Sequence, residues 1–480
     1  MNKRLLCHLV GNVVRVCGAL MVLPIIVSLI MGSGDTMPLV LSMLIALAVG
    51  TALALVQPRR DTLRAREGFA IVAFSWILVS FLGGLPFFFS GYVPSLVDCF
   101  FETVSGFTTT GATILTDVEA LPAGLLFWRS FTHWAGGMGV LVLSLALIPK
   151  MGARSIHLMR AESPGPSTDK LVPRVANNAK ILYEIYVALS LLMVVALLLC
   201  RMNLFDALVH MFGAAGTGGF GVYGDSIAHF NSAAVDIVIG VFMALFGVNF
   251  SIYYFLIHRN WKAAFGNTEL RWYWGILLGV SAVIAINIMP LYNGSFLTSL
   301  RYSFFQASSV MTTTGYATAD FDLWPQLSRV LLVMLMFIGA SAGSTGGGIK
   351  VIRVQLLVKS MVRDIRRTVH PKSVNTVKLD GHTVDEGILS GVQGFFFAYI
   401  LILLSAMVIV SLDGFSFETN FTAVLATLSN IGPGLGMVGH TCNFSAFSDL
   451  SKLVLSMCML IGRLEIFPIL MLFAPGAWKK

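Results

Sequence analysis

Apolar stretches of about twenty residues alternate with short polar stretches along the whole chain. The first two stretches cover roughly Leu5–Ile30 and Met37–Val56, and each is long enough to cross a hydrocarbon core about 30 Å thick. Strands of a membrane barrel would instead show alternation over about ten residues, and these stretches do not. The pattern therefore predicts an all-α polytopic membrane protein.

After the two N-terminal spans, one pattern follows four times: an apolar span, a half-apolar segment, a Gly/Thr-rich turn and a second apolar span. The turns are centred on Gly111, Gly219, Gly315 and Gly432, at spacings of 108, 96 and 117 residues. A near-regular period of this kind indicates an internal structural repeat. We divide the chain into two extra spans (1–67) and four pore repeats, at 68–150, 151–258, 259–379 (with a gating loop) and 380–480.

The half-apolar segments predict four half-helices, at about Ser95–Gly106, Leu204–Gly216, Leu297–Met311 and Ser416–Leu428. With roughly 12 residues each, they are too short to cross the bilayer. Non-helical backbone at membrane depth is tolerated only where it is buried in protein or faces a water-filled path. Four such loops predict one central pore with pseudo-fourfold, potassium-channel-like symmetry.

The distribution of charge gives the orientation. The chain is 56% hydrophobic and 12% charged, against about 25% charged in soluble domains. Gly91–Gly124 and Asp413–Leu450 contain acidic residues without Lys or Arg, whereas Gln57–Glu67, Lys150–Lys180 and Lys350–Lys378 are basic. The positive-inside rule places the basic stretches in the cytoplasm. Ten crossings then put both termini inside and all four turns outside. Nucleic-acid binding is disfavoured, because the basic runs are short loops between spans.

The turns have the residue types of a potassium filter. In such filters, T-V-G-Y-G loops replace the water shell of the ion with backbone carbonyls, and glycine makes the required backbone angles inexpensive. The half-helices point their C-terminal ends, which carry about half a negative charge, at the turns, and this favours a cation. Gly218, Phe220 and Pro433 depart from a strict filter, so the discrimination of potassium from sodium is left open. The predicted potassium-binding residues are Thr109, Thr110, Gly111, Ala112, Thr217, Gly218, Gly219, Phe220, Thr313, Thr314, Gly315, Tyr316, Asn430, Ile431, Gly432 and Pro433.

The second span of the third repeat is interrupted at Ile338–Gly348, which contains five glycines. Each glycine costs about 1 kcal/mol in a helix relative to alanine, so a straight helix is not expected. One interpretation is a flexible loop that gates the pore just inside the filter, and the other is a small-residue face for helix packing. The run is not a phosphate-binding loop, because it does not match the G-x-x-x-x-G-K-[ST] motif: Ile349, not glycine, precedes the lysine. The candidate gating residues are Gly339, Gly343, Gly346, Gly347, Gly348 and Lys350.

Arg463 lies in the middle of the last span, where a charge costs about 2.5–3.5 kcal/mol on insertion scales. Glu465 is too close in sequence to share a helix face with it. Arg463 is therefore either a positive barrier under the filter, which adds it to the gating residues, or part of a structural ion pair. Arg129, Lys150 and Arg353 lie nearer to span ends and are expected to snorkel.

These motifs carry a resemblance that covers essentially the whole chain. The repeats, the TTTGAT and TTTGYAT turns, and the GASAGSTGGGIK and GRLEIFP stretches resemble the Trk/Ktr/HKT potassium transporter superfamily, and within it the bacterial TrkH family. The resemblance implies potassium uptake across the bacterial inner membrane by channel-like conduction, and the departures from a strict filter predict that rubidium also passes. It also implies a homodimer, a cytosolic, nucleotide-binding TrkA-like partner that controls gating, and a pore role for Arg463. No covalently bound cofactor is expected.

Two other functions remain as alternatives. An ion-coupled symporter, linked to protons or sodium, would also use broken helices around a midplane site, although its repeats are typically inverted and these four run in one direction. A receptor or scaffold would not conduct. An enzyme is disfavoured, since the sequence offers no nucleophile–base pair, and the G-x-G-x-x-G match at Gly216–Gly221 lacks a preceding strand.

Overall fold

A computed structural model describes residues 2–58, 65–139, 175–372 and 375–473 of the chain. Most of the basic loop Lys150–Lys180, the arginines at 59, 60 and 64, and the C-terminal Trp478–Lys480 lie outside these residues. One short antiparallel hairpin, β1 (Lys378–Leu379) and β2 (His382–Thr383), accompanies the helices. The described α-helices are α1 (Lys3–Leu20), α2 (Val22–Met31), α3 (Thr36–Ala54), α4 (Ala65–Phe89), α5 (Leu96–Phe107), α6 (Ala123–Gly137), α7 (Val175–Leu199), α8 (Leu204–Gly216), α9 (Ala233–Phe246), α10 (Phe250–Ile257), α11 (Trp261–Gly266), α12 (Thr268–Ile288), α13 (Phe296–Met311), α14 (Gln326–Ile338), α15 (Val351–Val369), α16 (Glu386–Val410), α17 (Phe417–Leu428), α18 (Asp449–Arg463) and α19 (Phe467–Phe473).

The four predicted half-helices are α5, α8, α13 and α17, each within one residue of its predicted bounds. All four begin in the same way, with a Ser or Asn whose side-chain oxygen accepts a hydrogen bond from the backbone N–H three residues later. Such a cap satisfies one of the donors that a helix start leaves without a partner. The capping residues are Ser95, Asn203, Ser295 and Ser416.

The described residues contain six helical segments that are long and apolar enough to cross a membrane, with α1 and α2 counted together as one, or seven if the bent pair α9 and α10 is also one span. The ten predicted crossings exceed this number because, among the described residues, the second spans of the second, third and fourth repeats are interrupted, and the second span of the first repeat runs into residues outside the described ranges. Helices α9 and α10 meet at an angle of 93°, α14 and α15 are separated by the glycine-rich loop, and α18 ends before Glu465 and Ile466, which have φ values of 54° and 71°. In the first repeat, α6 ends at Gly137. The sequence predicted an interruption only in the third repeat.

Among the described residues, ion pairs join the second span of one repeat to the half-helix of the next at three of the four seams. Asp236 of α9 contacts Arg301 of α13 at 3.5 Å, and Lys452 of α18 contacts Asp98 of α5 at 2.6 Å. At the remaining ion-paired seam, Arg329 pairs with Glu418. These contacts close the repeats into a ring on the side of the Gly/Thr turns.

The prediction that Arg129 and Arg353 snorkel is wrong. Both side chains are buried, and they pair with Glu102 and Glu465 respectively. The carboxylates lie 27 and 112 positions away in the sequence. A rule that considers only partners three or four residues apart on one helix cannot identify these pairs. A charge inside a membrane protein needs a partner of this kind when it does not reach the interface. Lys150 lies outside the described residues.

The two extra spans attach to the first repeat through Asp35, which is 3% exposed. One carboxylate oxygen accepts hydrogen bonds from the hydroxyls of Ser28 and Ser33, both at 2.5 Å. The other accepts the backbone N–H of Leu125, in the first turn of α6, at 2.7 Å. Negative charge is favourable at a helix start, so Asp35 fixes the N-terminal spans against α6.

Replacing Asp35 with alanine is expected to lower the free energy of unfolding by about 1–3 kcal/mol, because buried donors lose a charged acceptor. Thermal unfolding of the purified protein in detergent measures the change. Asp225→Ala is the matched control, since that side chain is 57% exposed. Equal midpoints for Asp35→Ala and the control would contradict the anchoring role.

Candidate functional site

The four Gly/Thr turns meet in a closed ring. An ideal Cβ added to the central glycine of each turn would collide with a backbone carbonyl oxygen of the next repeat, in the order first, second, third, fourth and back to first. These turns therefore approach one another more closely than any side chain allows, and the ring depends on glycine. The distances from the added Cβ to that oxygen are 1.9 Å from Gly111 to Gly218, 2.1 Å from Gly219 to Thr314, 2.2 Å from Gly315 to Ile431 and 2.6 Å from Gly432 to Thr110.

All four turns share one backbone conformation. Each central glycine has a positive φ, and so does the residue two positions earlier, whereas the residue between them does not. Alternating signs of φ allow successive carbonyls to face one axis, which is what a carbonyl-lined filter requires. The φ values are 54° and 83° at Thr109 and Gly111, 57° and 76° at Thr217 and Gly219, 60° and 84° at Thr313 and Gly315, and 58° and 96° at Asn430 and Gly432.

Each half-helix ends in the same hydrogen-bonded motif, which aims the turn at the ring. In the first repeat, the N–H of Thr109 donates to Gly106 O at 3.1 Å and the N–H of Thr110 donates to Ser105 O at 2.9 Å. This is a Schellman motif, which terminates a helix through a residue in the left-handed region. The other three repeats have the same two bonds, donated by Thr217 and Gly218, Thr313 and Thr314, and Asn430 and Ile431.

This shared geometry changes how the departures at Gly218, Phe220 and Pro433 are understood. The second and fourth turns differ from the others in side chains, while their backbone carbonyls are placed in the same way. Since a filter of this type binds its ion through backbone carbonyls, all four repeats can contribute equivalent oxygen ligands.

A buried ion pair supports the ring from behind. Glu102 accepts hydrogen bonds from the hydroxyl of Thr113 at 2.9 Å and from the N–H of Ile114 at 3.0 Å. Its partner Arg129, at 2.7 Å, also donates to Gly221 O at 3.3 Å. The pair thus joins the strands that leave the first and second turns. Sequence reasoning missed it, although a charge inside an apolar run, the signal used for Arg463, was also present at Arg129.

The third turn is tied to the second by Tyr316. Its hydroxyl donates to Phe220 O at 2.8 Å and lies 3.2 Å from His210 O. Beyond the turns, all four central glycines and Pro433 line a cavity of about 250 Å³. The ring therefore opens on this side into a space large enough for hydrated ions.

On the opposite side, the glycine-rich segment between α14 and α15 lies directly against the ring. The N–H of Gly347 donates to the hydroxyl of Thr313 at 2.6 Å. A Cβ on Gly347 would lie 2.4 Å from Ser429 O, and one on Gly346 would lie 2.8 Å from Thr312 O. The segment is a loop, which excludes the helix-packing interpretation. We call residues 339–350 the gate loop, after the gating role that the sequence predicts for them.

The other predicted gating residues shape this loop. Gly339, Gly343 and Gly348 have positive φ values, and so does Lys350, whose buried ammonium group donates to Gly346 O. A lysine in the left-handed region is strained, and the hydrogen bond within the loop offsets that cost. The loop therefore has a defined conformation against the ring.

The bend between α9 and α10 holds the gate loop from the side of the second repeat. The N–H of Ser341 donates to Gly247 O at 3.0 Å, and the N–H of Phe250 donates to Gly343 O at 3.0 Å. The interruption of this span leaves the backbone C=O of Gly247 and the N–H of Phe250 without partners inside a helix. The gate loop supplies their hydrogen-bond partners, which buried backbone in a membrane protein requires.

Arg463 connects three parts of the site. Its guanidinium donates to the hydroxyl of Thr109 at 3.1 Å, to Thr345 O of the gate loop at 2.8 Å and to Gly137 O at 2.6 Å, and it also donates to Gly136 O. The positive charge thus lies immediately beside the first turn and under the ring. Glu465, which follows it, pairs with Arg353.

The described residues contain no group of three or more His, Cys, Asp or Glu side chains that could hold a metal ion. The buried His133 and His210 each place Nδ1 near a backbone carbonyl oxygen, Gly106 O at 2.7 Å and Asp206 O at 2.8 Å. The polar groups that surround the ring are backbone oxygens, hydroxyls, the Arg463 and Arg129 guanidinium groups and the Lys350 ammonium group.

Known proteins resemble the chain over its whole length. A family model described as "TrkH: Cation transport protein" matches residues 36–479. The chain belongs to the TrkH family. The Trk system potassium uptake protein TrkH of Salmonella typhimurium is 39% identical, and TrkG of Escherichia coli K12 is 34% identical; the first match covers 100% of both chains, and the second covers 100% of this chain and 99% of TrkG.

A solved structure shows that the fold of the chain is also that of the TrkH family. The crystal structure of the potassium transporter TrkH from Vibrio parahaemolyticus matches this TrkH-family chain with a TM-score of 0.90 at 34% identity, covering 100% of both chains. The predicted family and the predicted all-α membrane fold are confirmed. The family is one of transport proteins, which agrees with the expectation of transport rather than catalysis.

Proposed function

We propose that this protein takes up potassium across the bacterial inner membrane by conducting the ion through the ring of four turns. The observation that carries the proposal is the closed ring itself, in which four equivalent strands bring backbone carbonyls around one axis. The relatives named above are potassium uptake proteins, which supports potassium as the ion. Rubidium, of similar size, is expected to pass as well.

The mechanism follows from the order of the parts. An ion sheds water in the outer cavity as carbonyl oxygens replace its shell, and the C-terminal ends of four half-helices stabilise its charge. An inside-negative potential supplies about 2.3 kcal/mol per 100 mV for each charge that enters. Below the ring, the ion meets the gate loop and Arg463, and conduction requires the loop to move. Gly339, Gly343, Gly346, Gly347, Gly348 and Lys350 form this gate.

Regulation and assembly extend the proposal. A cytosolic TrkA-like, nucleotide-binding subunit would set how often the loop opens, and two copies of the chain would form a homodimer. The basic helix α15 directly follows the loop, and its Lys359, Arg366 and Arg367 offer a charged cytoplasmic face. We place both termini in the cytoplasm, as the charge distribution predicts.

The test is ion flux through the purified protein in liposomes, measured with radioactive rubidium and with competing potassium, sodium and caesium. We expect rubidium flux that follows the membrane potential and is inhibited by potassium. An absence of flux from correctly inserted protein would refute the proposal. Flux that strictly needs a proton or sodium gradient would instead support the ion-coupled symporter.

A further inference from the structure

A buried carboxylate holds both ends of the gate loop. Glu269 lies in the first turn of α12 and is 3% exposed. Its Oε1 atom accepts the N–H of Ala342 at 2.7 Å and the N–H of Ile352 at 3.2 Å. Ala342 is within the gate loop, and Ile352 is in the first turn of α15. This oxygen atom of the third repeat's first span therefore reinforces the backbone bonds that join the two ends of the loop, which run from Lys350 N–H to Ile338 O at 2.9 Å and from Val351 N–H to Ala340 O at 3.0 Å.

The same helix start is tied to an exposed cytoplasmic element. The hairpin formed by β1 and β2 turns at Asp380 and Gly381, with φ values of 49° and 85°, the geometry that an Asp-Gly turn favours. The Oδ1 atom of Asp380 accepts the N–H of Thr268, the neighbour of Glu269, at 2.7 Å. Asp380 itself is exposed, so a cytosolic molecule can reach it.

A small apolar cluster makes a second connection between the hairpin and the loop. Ala342 of the loop and Val377, which leads into β1, belong to one buried cluster with residues of α15 and α16. Val377 O also accepts the N–H of Val384, at 2.9 Å, on the other side of the hairpin. Movement of the hairpin therefore reaches the loop through Ala342 as well as through Glu269.

We propose that Glu269 is a positioning residue that keeps the gate loop closed, and that the Asp380 hairpin is the cytoplasmic contact through which the loop is released. A partner that draws Asp380 away from Thr268 shifts the start of α12 and weakens the two bonds that Glu269 accepts. The loop ends are then held by backbone bonds alone, and the contacts of Gly346 and Gly347 with the ring are lost more readily. This inference rests on the proposed gating function of the loop.

The first test compares Glu269→Ala with Glu269→Gln. Without the acceptor, alanine is expected to raise rubidium flux in the absence of any partner by about tenfold, whereas glutamine, which still presents an oxygen to both N–H groups, is expected to stay within about twofold of the unmodified protein. Hydrogen exchange of the peptide covering residues 339–352 gives a readout that does not depend on conduction. Exchange is expected to be faster in Glu269→Ala and unchanged in Glu269→Gln.

The second test removes the hairpin contact. Asp380→Ala is expected to speed exchange in the same peptide, and Asp380→Asn, which retains an acceptor oxygen, is expected to leave it unchanged. Asp364→Ala is the matched control, because that carboxylate is also on the cytoplasmic side and is 52% exposed. If Glu269→Ala does not fold, hydrogen exchange in Asp380→Ala decides whether the contacts at the start of α12 hold the loop.

Several outcomes would overturn the inference. Unchanged exchange and flux in Glu269→Ala would show that the loop is held without this carboxylate. Equal effects of Glu269→Ala and Glu269→Gln would assign the role to the charge rather than to the two hydrogen bonds. If the unmodified protein carries no rubidium, the proposed function fails, while the exchange experiment still decides whether Glu269 holds the loop.

Discussion

Replacing Gly315 with alanine is expected to reduce rubidium flux by on the order of 100-fold or more. At a φ of 84°, any residue with a Cβ is strained. The added Cβ would also lie 2.2 Å from Ile431 O and 2.8 Å from the ring of Pro433. The carbonyl of the fourth repeat must therefore move, and a filter that replaces a water shell does not tolerate such a displacement.

The measurement is potential-driven rubidium uptake into liposomes, with protein insertion checked in the same samples. Gly224→Ala is the matched control. Gly224 lines the same outer cavity, but it lacks a positive φ and a Cβ there meets nothing within 4 Å. Near-normal flux in Gly315→Ala would show that ions do not pass through the ring of turns.

Much of the fold was predictable because each element leaves a local signal. Half-helices are short apolar segments after a Ser or Asn cap, as at Ser95 and Asn203, and the turn glycines recur at a regular spacing. The break in the third repeat was predictable because several glycines crowd into one span. The bend between α9 and α10 has a weaker signal, with Gly247 and the capping Asn249 between two apolar runs, and this bend was not predicted.

The parts of the site that depend on backbone conformation could be predicted from the sequence. The parts that depend on side-chain contacts between residues distant in sequence could not. Glycine at the centre of each turn is a local requirement, so the four strands could be assigned from sequence. Glu269, by contrast, meets Ala342 across 73 positions, and Arg463 meets Thr109 across 354. Such contacts arise from the closure of the repeats into a ring. The Asp380-Gly381 dipeptide was a local signal for the cytoplasmic hairpin that the sequence analysis did not use.

Replacing Arg463 with alanine is expected to raise rubidium flux in the absence of a partner by about tenfold to a hundredfold. Two like unit charges about 8 Å apart, at an effective dielectric constant of about 20, repel each other by about 2 kcal/mol, and we expect Arg463 to oppose a cation below the ring by an energy of this order. The substitution also removes the guanidinium that donates both to Thr345 O of the gate loop and to the hydroxyl of Thr109 in the first turn, and so links the two. Both effects lower the barrier beneath the ring, so the two contributions must be separated by a further variant.

Arg463→Lys separates them. Lysine retains the charge but lacks the planar fork that donates to Thr109, Thr345 O and Gly137 O together. If charge dominates, Arg463→Lys should conduct like the unmodified protein. If the tether to the loop dominates, it should conduct like Arg463→Ala. Arg4→Ala, at an exposed position in α1 outside the site, controls for the loss of a positive charge from the protein. Unchanged flux in Arg463→Ala would mean that Arg463 forms neither a barrier nor a tether, and that the gate loop alone closes the pore.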